Sequence, residues 1–116
     1  AWFGYRSETP VTFGRVEFAH GRSMVHGGWF DASRGLPVIE VLDMPGTEWR
    51  AIGELGEYPT TDASSDAGIL PGQLFELALD VPVAAYGLRV RGAGSYGEYP
   101  GSRRIATCAT LTAFDD

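Results

Sequence analysis

The chain has 116 residues, of which 44% are hydrophobic and 21% are charged. These proportions are typical of one globular domain and exclude a disordered chain, which lacks enough apolar side chains to form a core. The apolar runs fall far short of the ~20 residues that a membrane-spanning helix needs. A net charge of −6 argues against a nucleic-acid-binding surface, which requires a basic field. We therefore predict no membrane span and no nucleic-acid partner.

Alternating apolar and polar side chains, interrupted by turn residues, predict strands along the whole chain. In chain order the predicted strands are residues 2–6, 15–18, 38–42, 49–55, 75–80, 86–91 and 105–114. No window has the apolar stripe of an amphipathic helix. The sequence thus predicts an all-β fold with little or no helix. We expect an antiparallel jelly-roll β-sandwich of about seven to eight strands, forming one domain over residues 1–116.

The connections between these strands divide into short turns and long loops. If each successive strand reverses direction, the long connections 21–35, 56–71 and 93–103 all lie at one end of the sandwich. The short turn at residues 43–48 then lies at the opposite end. Long loops at one end of a rigid sandwich commonly carry binding sites. We therefore predict a binding site formed by the three long loops.

Aromatic and hydrogen-bonding side chains in these loops suit a sugar ligand. An aromatic ring can stack on the apolar C–H face of a sugar, while arginine and histidine hydrogen-bond to its hydroxyls. The candidate ligand-binding residues are His26, Trp29, Tyr96, Tyr99 and Arg103.

Each aromatic candidate also has a purely structural interpretation. Gly27 and Gly28 precede Trp29, and their backbone freedom would let the indole fold inward and close the core. Tyr96 and Tyr99 either face a ligand or pack their loop against the end of the sandwich. Both interpretations remain open from the sequence.

Catalytic and metal-binding patterns are weak in this chain. The glycines of residues 92–97 have the spelling of a phosphate-binding loop, but no helix follows them. Carboxylates are plentiful, and no pair stands out as a glycosidase pair. The spacing of His20, His26 and Asp31 matches no zinc signature, and the single cysteine, Cys108, excludes a cysteine-based cluster. We predict no catalytic residues, no metal ligands and no cofactor.

Short segments along nearly the whole chain carry a family resemblance. They are PVTFGRVEF at 10–18, HG at 20–21, GGWFD at 27–31, PVIEV at 37–41, Trp49, YP at 58–59, GLRVRG at 87–92 and CATLTAF at 108–114. In this order they resemble the galactose-binding-like, or discoidin (coagulation factor 5/8 type C), domains of bacterial carbohydrate-active proteins.

The resemblance implies an eight-stranded jelly roll that binds glycans through loops at one end, as an appendage to a catalytic module. It also implies a structural calcium near a glutamate of the last strand, but Thr110 occupies that position here. We predict a non-catalytic carbohydrate-binding module, with a docking domain that packs against a neighbouring catalytic module as the alternative. Because strand-like sequence begins at Trp2, we expect the chain to be part of a longer protein, extracellular or at the cell surface.

Overall fold

The computed structural model of the protein describes residues 1–115. These residues form five strands and one short 3₁₀ helix: β1 (Trp2–His20), the helix (Ala32–Arg34), β2 (Val38–Leu42), β3 (Trp49–Glu54), β4 (Leu74–Arg91) and β5 (Cys108–Phe114). The strands pair in one sheet in the order β3-β2-β4-β1-β5, and every pairing is antiparallel. The predicted all-β character is confirmed. No helix within residues 1–115 is long and apolar enough to cross a membrane.

The described residues form five strands instead of seven to eight, because two long strands each contain two predicted ones. β1 includes the predicted strands 2–6 and 15–18, and β4 includes 75–80 and 86–91. The β1–β4 pairing is interrupted by register shifts between Arg6 and Val11 and between Phe13 and Arg15. Such irregularities bend and twist a strand without ending it. Each long strand therefore passes through two parts of the same sheet.

The two halves of β1 have different neighbours. Residues 2–6 pair with the last residues of β4, in the part of the sheet that also contains β2 and β3. Residues 15–20 lie between the start of β4 and β5. The sheet therefore has a four-stranded part and a three-stranded part, which β1 and β4 connect.

The assumption that each strand reverses the direction of the one before is wrong. β1 and β2 are both antiparallel to β4, so they run the same way, while β3, β4 and β5 run the other way. Consequently each long connection must cross from one end of the sheet to the other. The crossing loops nevertheless contact one another, as Glu98 N donates to Val25 O at 2.7 Å and Tyr96 N to Ala63 O at 2.9 Å.

One cluster of buried side chains joins both parts of the sheet to the crossing loops. Val16 and Phe18 come from the three-stranded part, whereas Val41 and Leu88 come from the four-stranded part. The loops add Trp29, Phe30, Leu55, Tyr58 and Ile69 to the same cluster. The long loops thus close the core, and burial of their large apolar side chains favours folding by about 1.5–3 kcal/mol each.

Candidate functional site: a tryptophan–arginine face and a loop groove

The five residues predicted as ligand-binding do not form one exposed site. His26 and Arg103 are exposed, and Tyr99 retains 54% of its surface. The contact between Val25 and Glu98 brings the turn that carries His26 beside the loop that carries Tyr96 and Tyr99. Ser23, Asp66 and Glu98 are among the residues that line a shallow groove there.

Trp29 belongs to the core, and it also lines the groove. The side chain is 4% exposed, and its Nε1 donates to the carbonyl oxygen of Asp62 at 2.7 Å. Gly27 precedes it with φ +120°, and a Cβ there would lie 2.4 Å from the carbonyl oxygen of Ser95. Only glycine permits this close approach of the two loops. The indole thus closes the core, and only a small part of its surface faces the groove.

Tyr96 is also partly used within the protein. The ring is half-buried, and the guanidinium of Arg104 lies over it at 5.0 Å from the ring centroid. Arg104 Nη1 also donates to Asp31 Oδ2 at 3.1 Å, and Asp31 is 2% exposed. Tyr99 is consequently the one freely exposed ring among the predicted tryptophan and tyrosines.

The resemblance implies a structural calcium near the last strand. Calcium takes six to eight oxygen ligands, and carboxylates supply most of its charge compensation. No group of three or more His, Cys, Asp or Glu within residues 1–115 is arranged to hold a metal ion. Thr110, at the position where the resemblance implies a glutamate, is an exposed residue of β5.

A second surface, which the sequence analysis did not single out, lies on the four-stranded part of the sheet. Alternation along β2 sends Ile39 and Val41 into the core and Glu40 to the outer side. Residues paired in register share a side, so Glu40 lies with Arg89, and Trp2 lies with Arg91. We call the set of outward side chains Trp2, Arg6, Glu40, Trp49, Arg89 and Arg91 the tryptophan–arginine face.

Glu40 fixes two arginines on this face. Its Oε1 accepts from Arg89 Nε at 2.7 Å and from Arg91 Nε at 3.2 Å, and its Oε2 accepts from Arg91 Nη2 at 3.2 Å. Burial alone would raise the pKa of Glu40, but the hydrogen bonds and charges of Arg91 and Arg89 outweigh it and lower the pKa. The carboxylate therefore stays ionised near neutral pH and holds both guanidiniums in place.

The indoles and guanidiniums of the face alternate. The Arg89 guanidinium carbon lies 4.4 Å from the ring centroid of Trp49 and 5.6 Å from that of Trp2. On the other side, the Arg6 guanidinium carbon lies 5.8 Å from the Trp49 centroid. These distances are within the range of cation–π attraction, which contributes about 0.5–1 kcal/mol at exposed sites. The four side chains thus form an ordered row, Arg6–Trp49–Arg89–Trp2.

The row depends on a glycine in β4. A Cβ at Gly87 would lie 2.8 Å from Cη2 of Trp49, so the indole crosses the strand where a side chain is missing. Trp49 is half-buried in this position, whereas Trp2 keeps 57% of its surface exposed. The Arg91 side chain is 52% exposed and that of Arg89 is 18% exposed. One open indole beside ordered hydrogen-bond donors is an arrangement that can stack on and orient a flat polar ligand.

Part of this face could have been found from the sequence. The alternation of residues 86–91 already put Arg89 and Arg91 on the side opposite Leu88 and Val90. Finding their neighbours required the pairing of β4 with residues 2–6 and 38–42, which depends on the bent course of the long strands.

Comparison of the chain with family models, with curated proteins and with solved structures finds no match. The discoidin resemblance therefore stays a prediction from the sequence.

Proposed function

We propose that this protein is a non-catalytic glycan-binding module whose ligand lies on the tryptophan–arginine face. The observation that carries the proposal is the open indole of Trp2 beside guanidiniums that Glu40 and the aromatic rings hold in position. A sugar ring would place its C–H face on the exposed indole, and Arg91 would donate hydrogen bonds to ring substituents. Because the donors are ordered before binding, less side-chain entropy is lost when the ligand arrives.

The face suits a sugar better than the loop groove does. In the loops, Trp29 is buried and Tyr96 is covered by Arg104, which leaves Tyr99 as a single stacking ring. On the face, the indoles of Trp2 and Trp49 both lie within 6 Å of the Arg89 guanidinium carbon. Trp2 keeps 57% of its surface exposed, slightly more than the 54% of Tyr99 in the loops. The loop groove remains the alternative place for a glycan, with Tyr99, His26 and Arg103 as exposed side chains on the loops beside it.

The wider setting of the proposal comes from the sequence resemblance. A galactose-binding-like jelly roll, attached to a catalytic module in an extracellular or cell-surface protein, is the context in which such a module would serve. In that setting the domain would hold the catalytic module near its polymeric substrate, and the domain itself would carry out no reaction.

A glycan array followed by titration calorimetry tests the proposal. The panel includes galactosides, fucosides and plant oligosaccharides, and shallow aromatic sites bind such ligands with micromolar to millimolar affinity, roughly −8 to −4 kcal/mol. We expect Trp2→Ala to weaken binding by about 1–2 kcal/mol, and Tyr99→Ala to leave it unchanged. Loss of binding in Tyr99→Ala alone would move the site to the loop groove.

Silence of the folded protein across the whole panel would overturn the glycan proposal. A docking domain would then be the better explanation, and the exposed apolar side chains of the long strands favour it. Tyr5 and Val11 are each 45% exposed, and Val81 is 72% exposed. Such side chains are suited to contact with a neighbouring protein module.

A further inference from the structure

The tryptophan–arginine face has an excess of positive charge on an acidic protein. The whole chain has a net charge of −6, yet three arginines and one glutamate make up the charged side chains of the face. Glu54 pairs with Val38, which pairs with Arg91, so this carboxylate lies on the same side of the sheet but two strands away from Arg91. Local charge of this sign favours an anionic ligand and repels the cationic ligands that an acidic protein would otherwise attract.

The arginines of the face differ in how much of their donor capacity is free. Arg89 is 18% exposed, donates Nε to Glu40 and lies between the two indoles. Arg91 donates hydrogen bonds from Nε and Nη2 to Glu40. Its side chain is 52% exposed, and its Nη1 donates to no group within residues 1–115, so it can donate to a ligand. Arg6 is exposed and has no carboxylate partner within residues 1–115. The face thus holds unused guanidinium donors at both ends of the row.

We propose that the glycan recognised by this face is acidic, with a uronate as the sugar that binds Trp2. This inference rests on the proposed glycan-binding function and specifies its ligand class. A uronate has an apolar C–H face for the indole and a carboxylate at the ring edge. Arg91 stands opposite Trp2 in the strand register, so its free Nη1 is placed to receive that carboxylate. Charge-assisted hydrogen bonds of this kind are stronger than those between neutral groups.

Arg6 extends the same recognition along a polymer. It lies four residues along β1 from Trp2, beyond Trp49 in the row of alternating side chains. A second carboxylate of the same chain could reach Arg6 while the first sugar stays on Trp2. A polymer with a carboxylate on every sugar would therefore bind more tightly than a neutral polymer of the same backbone.

Matched pairs of polysaccharides test this inference. Polygalacturonate, alginate and hyaluronan are each compared with their carboxyl-reduced forms by affinity electrophoresis, at low and at high salt. We expect at least one acidic polymer to bind about tenfold more tightly than its reduced form, and the difference to shrink at high salt. Poly-deoxythymidine serves as a polyanion without sugar carboxylates, and we expect it not to bind.

Variants then assign the charge requirement to the face. Arg6→Gln does not touch Glu40, so we expect it to fold normally and to weaken binding of the acidic polymer about three- to tenfold. Arg91→Gln is the second variant, with thermal unfolding as a check on its stability. Arg22→Gln is the matched control, since Arg22 is exposed, lies outside the face and removes the same charge.

The outcomes separate the two proposals. Equal binding of acidic and reduced polymers would overturn the uronate proposal while leaving the glycan function intact. Binding of poly-deoxythymidine as tight as that of the acidic polymer would also overturn it, because the face would then be a general anion surface. Silence toward all six polysaccharides overturns the uronate proposal, and silence in the wider glycan panel as well overturns the proposed function. An equal loss in Arg6→Gln and Arg22→Gln would show that net charge, not the face, governs binding.

Discussion

The crossing loops and the tryptophan–arginine face use similar side chains for opposite purposes. In the loops, Trp29 and Tyr58 point inward, and the loop hydroxyls bond to neighbouring backbone groups. On the face, Trp2 of β1 and Arg91 of β4 point outward, while the opposite side of both strands packs in the core. The single sheet does not cover the whole core, so the aromatic rings of the long loops cover the rest. A paired strand has its backbone satisfied and can expose one side fully.

The largest loss of stability is expected for Trp29→Ala. If the indole is a core residue, its removal leaves a large cavity and costs about 3–5 kcal/mol of unfolding free energy. Chemical denaturation followed by circular dichroism measures the loss. Trp2→Ala is the matched control, as it removes the same side chain from the exposed face. A loss below about 1 kcal/mol for Trp29→Ala would contradict the role of the loop as a lid.

A smaller effect is expected from the polar contacts that hold the loops together. The Ser95 hydroxyl accepts from the backbone N–H groups of Gly28 and Trp29, at 3.0 and 3.1 Å, and Ser95 is fully buried. Ser95→Ala leaves Trp29 N without this acceptor, whereas Gly28 N keeps its bond to Ile105 O at 3.3 Å. A buried unsatisfied group costs about 1–3 kcal/mol. We expect a loss in that range by chemical denaturation.

The control for Ser95 is a serine on the outside of the loops. Ser64→Ala, at an exposed position whose hydroxyl bonds only to Asp62, should change the unfolding free energy by less than about 0.5 kcal/mol. Equal effects of the two substitutions would show that the buried hydroxyl has no special part in joining the loops.

A pH dependence should follow from His20, at the junction of β1 and the first crossing loop. The side chain is fully buried, its Nδ1 has no hydrogen-bond partner within residues 1–115, and Nε2 lies 3.2 Å from Ser23 Oγ. Burial lowers the pKa of His20, while the charge of Asp66 acts in the opposite direction. The unfolded chain therefore binds a proton more readily than the folded protein does, so stability falls as the pH drops below about 6.5.

Unfolding titrations between about pH 7.5 and pH 5 measure this dependence. The His20→Gln variant should lose much of the decrease, whereas His26→Gln, which removes the exposed histidine, should retain it. A decrease that is identical in the wild type and in His20→Gln would assign the pH dependence to other groups.

The smallest expected effect is the change in stability of Trp2→Ala. The indole is 57% exposed and its main described contact is with the Arg89 guanidinium, so we expect a loss of less than about 1 kcal/mol. The same variant should weaken glycan binding, and this separation of binding from stability is what distinguishes the face from the loops. A loss of stability comparable to that of Trp29→Ala would show that Trp2 is a structural residue.

Much of the fold follows from local pattern. Val16, Phe18, Val41, Phe75 and Leu88 are apolar residues of the alternating segments, and all five are buried. Leu111, in the last alternating segment, is only half-buried, because β5 lies at the edge of the sheet and has a neighbour on one side only. Alternation identifies the inward side of a strand but does not reveal the strand's place in the sheet.

The candidate site was harder to predict than the core. Residues 7–10 have the composition of a turn, yet β1 continues through them as an irregular stretch. That continuity sets the directions of all later strands and so the course of the loops. The alternation of residues 86–91 identifies Arg89 and Arg91 as outward residues, but their assembly around Glu40 depends on pairings between strands far apart in the chain.

The sequence by itself determined the all-β character and the inward side of most strands, because the period of apolar residues is a local property. The tertiary structure alone decided that Trp29 closes the core and that Trp2 and Trp49 share a guanidinium. Both outcomes depend on which distant segments become neighbours. The bends in β1 and β4 and the strand order control that choice, and neither leaves a periodic signal in the chain.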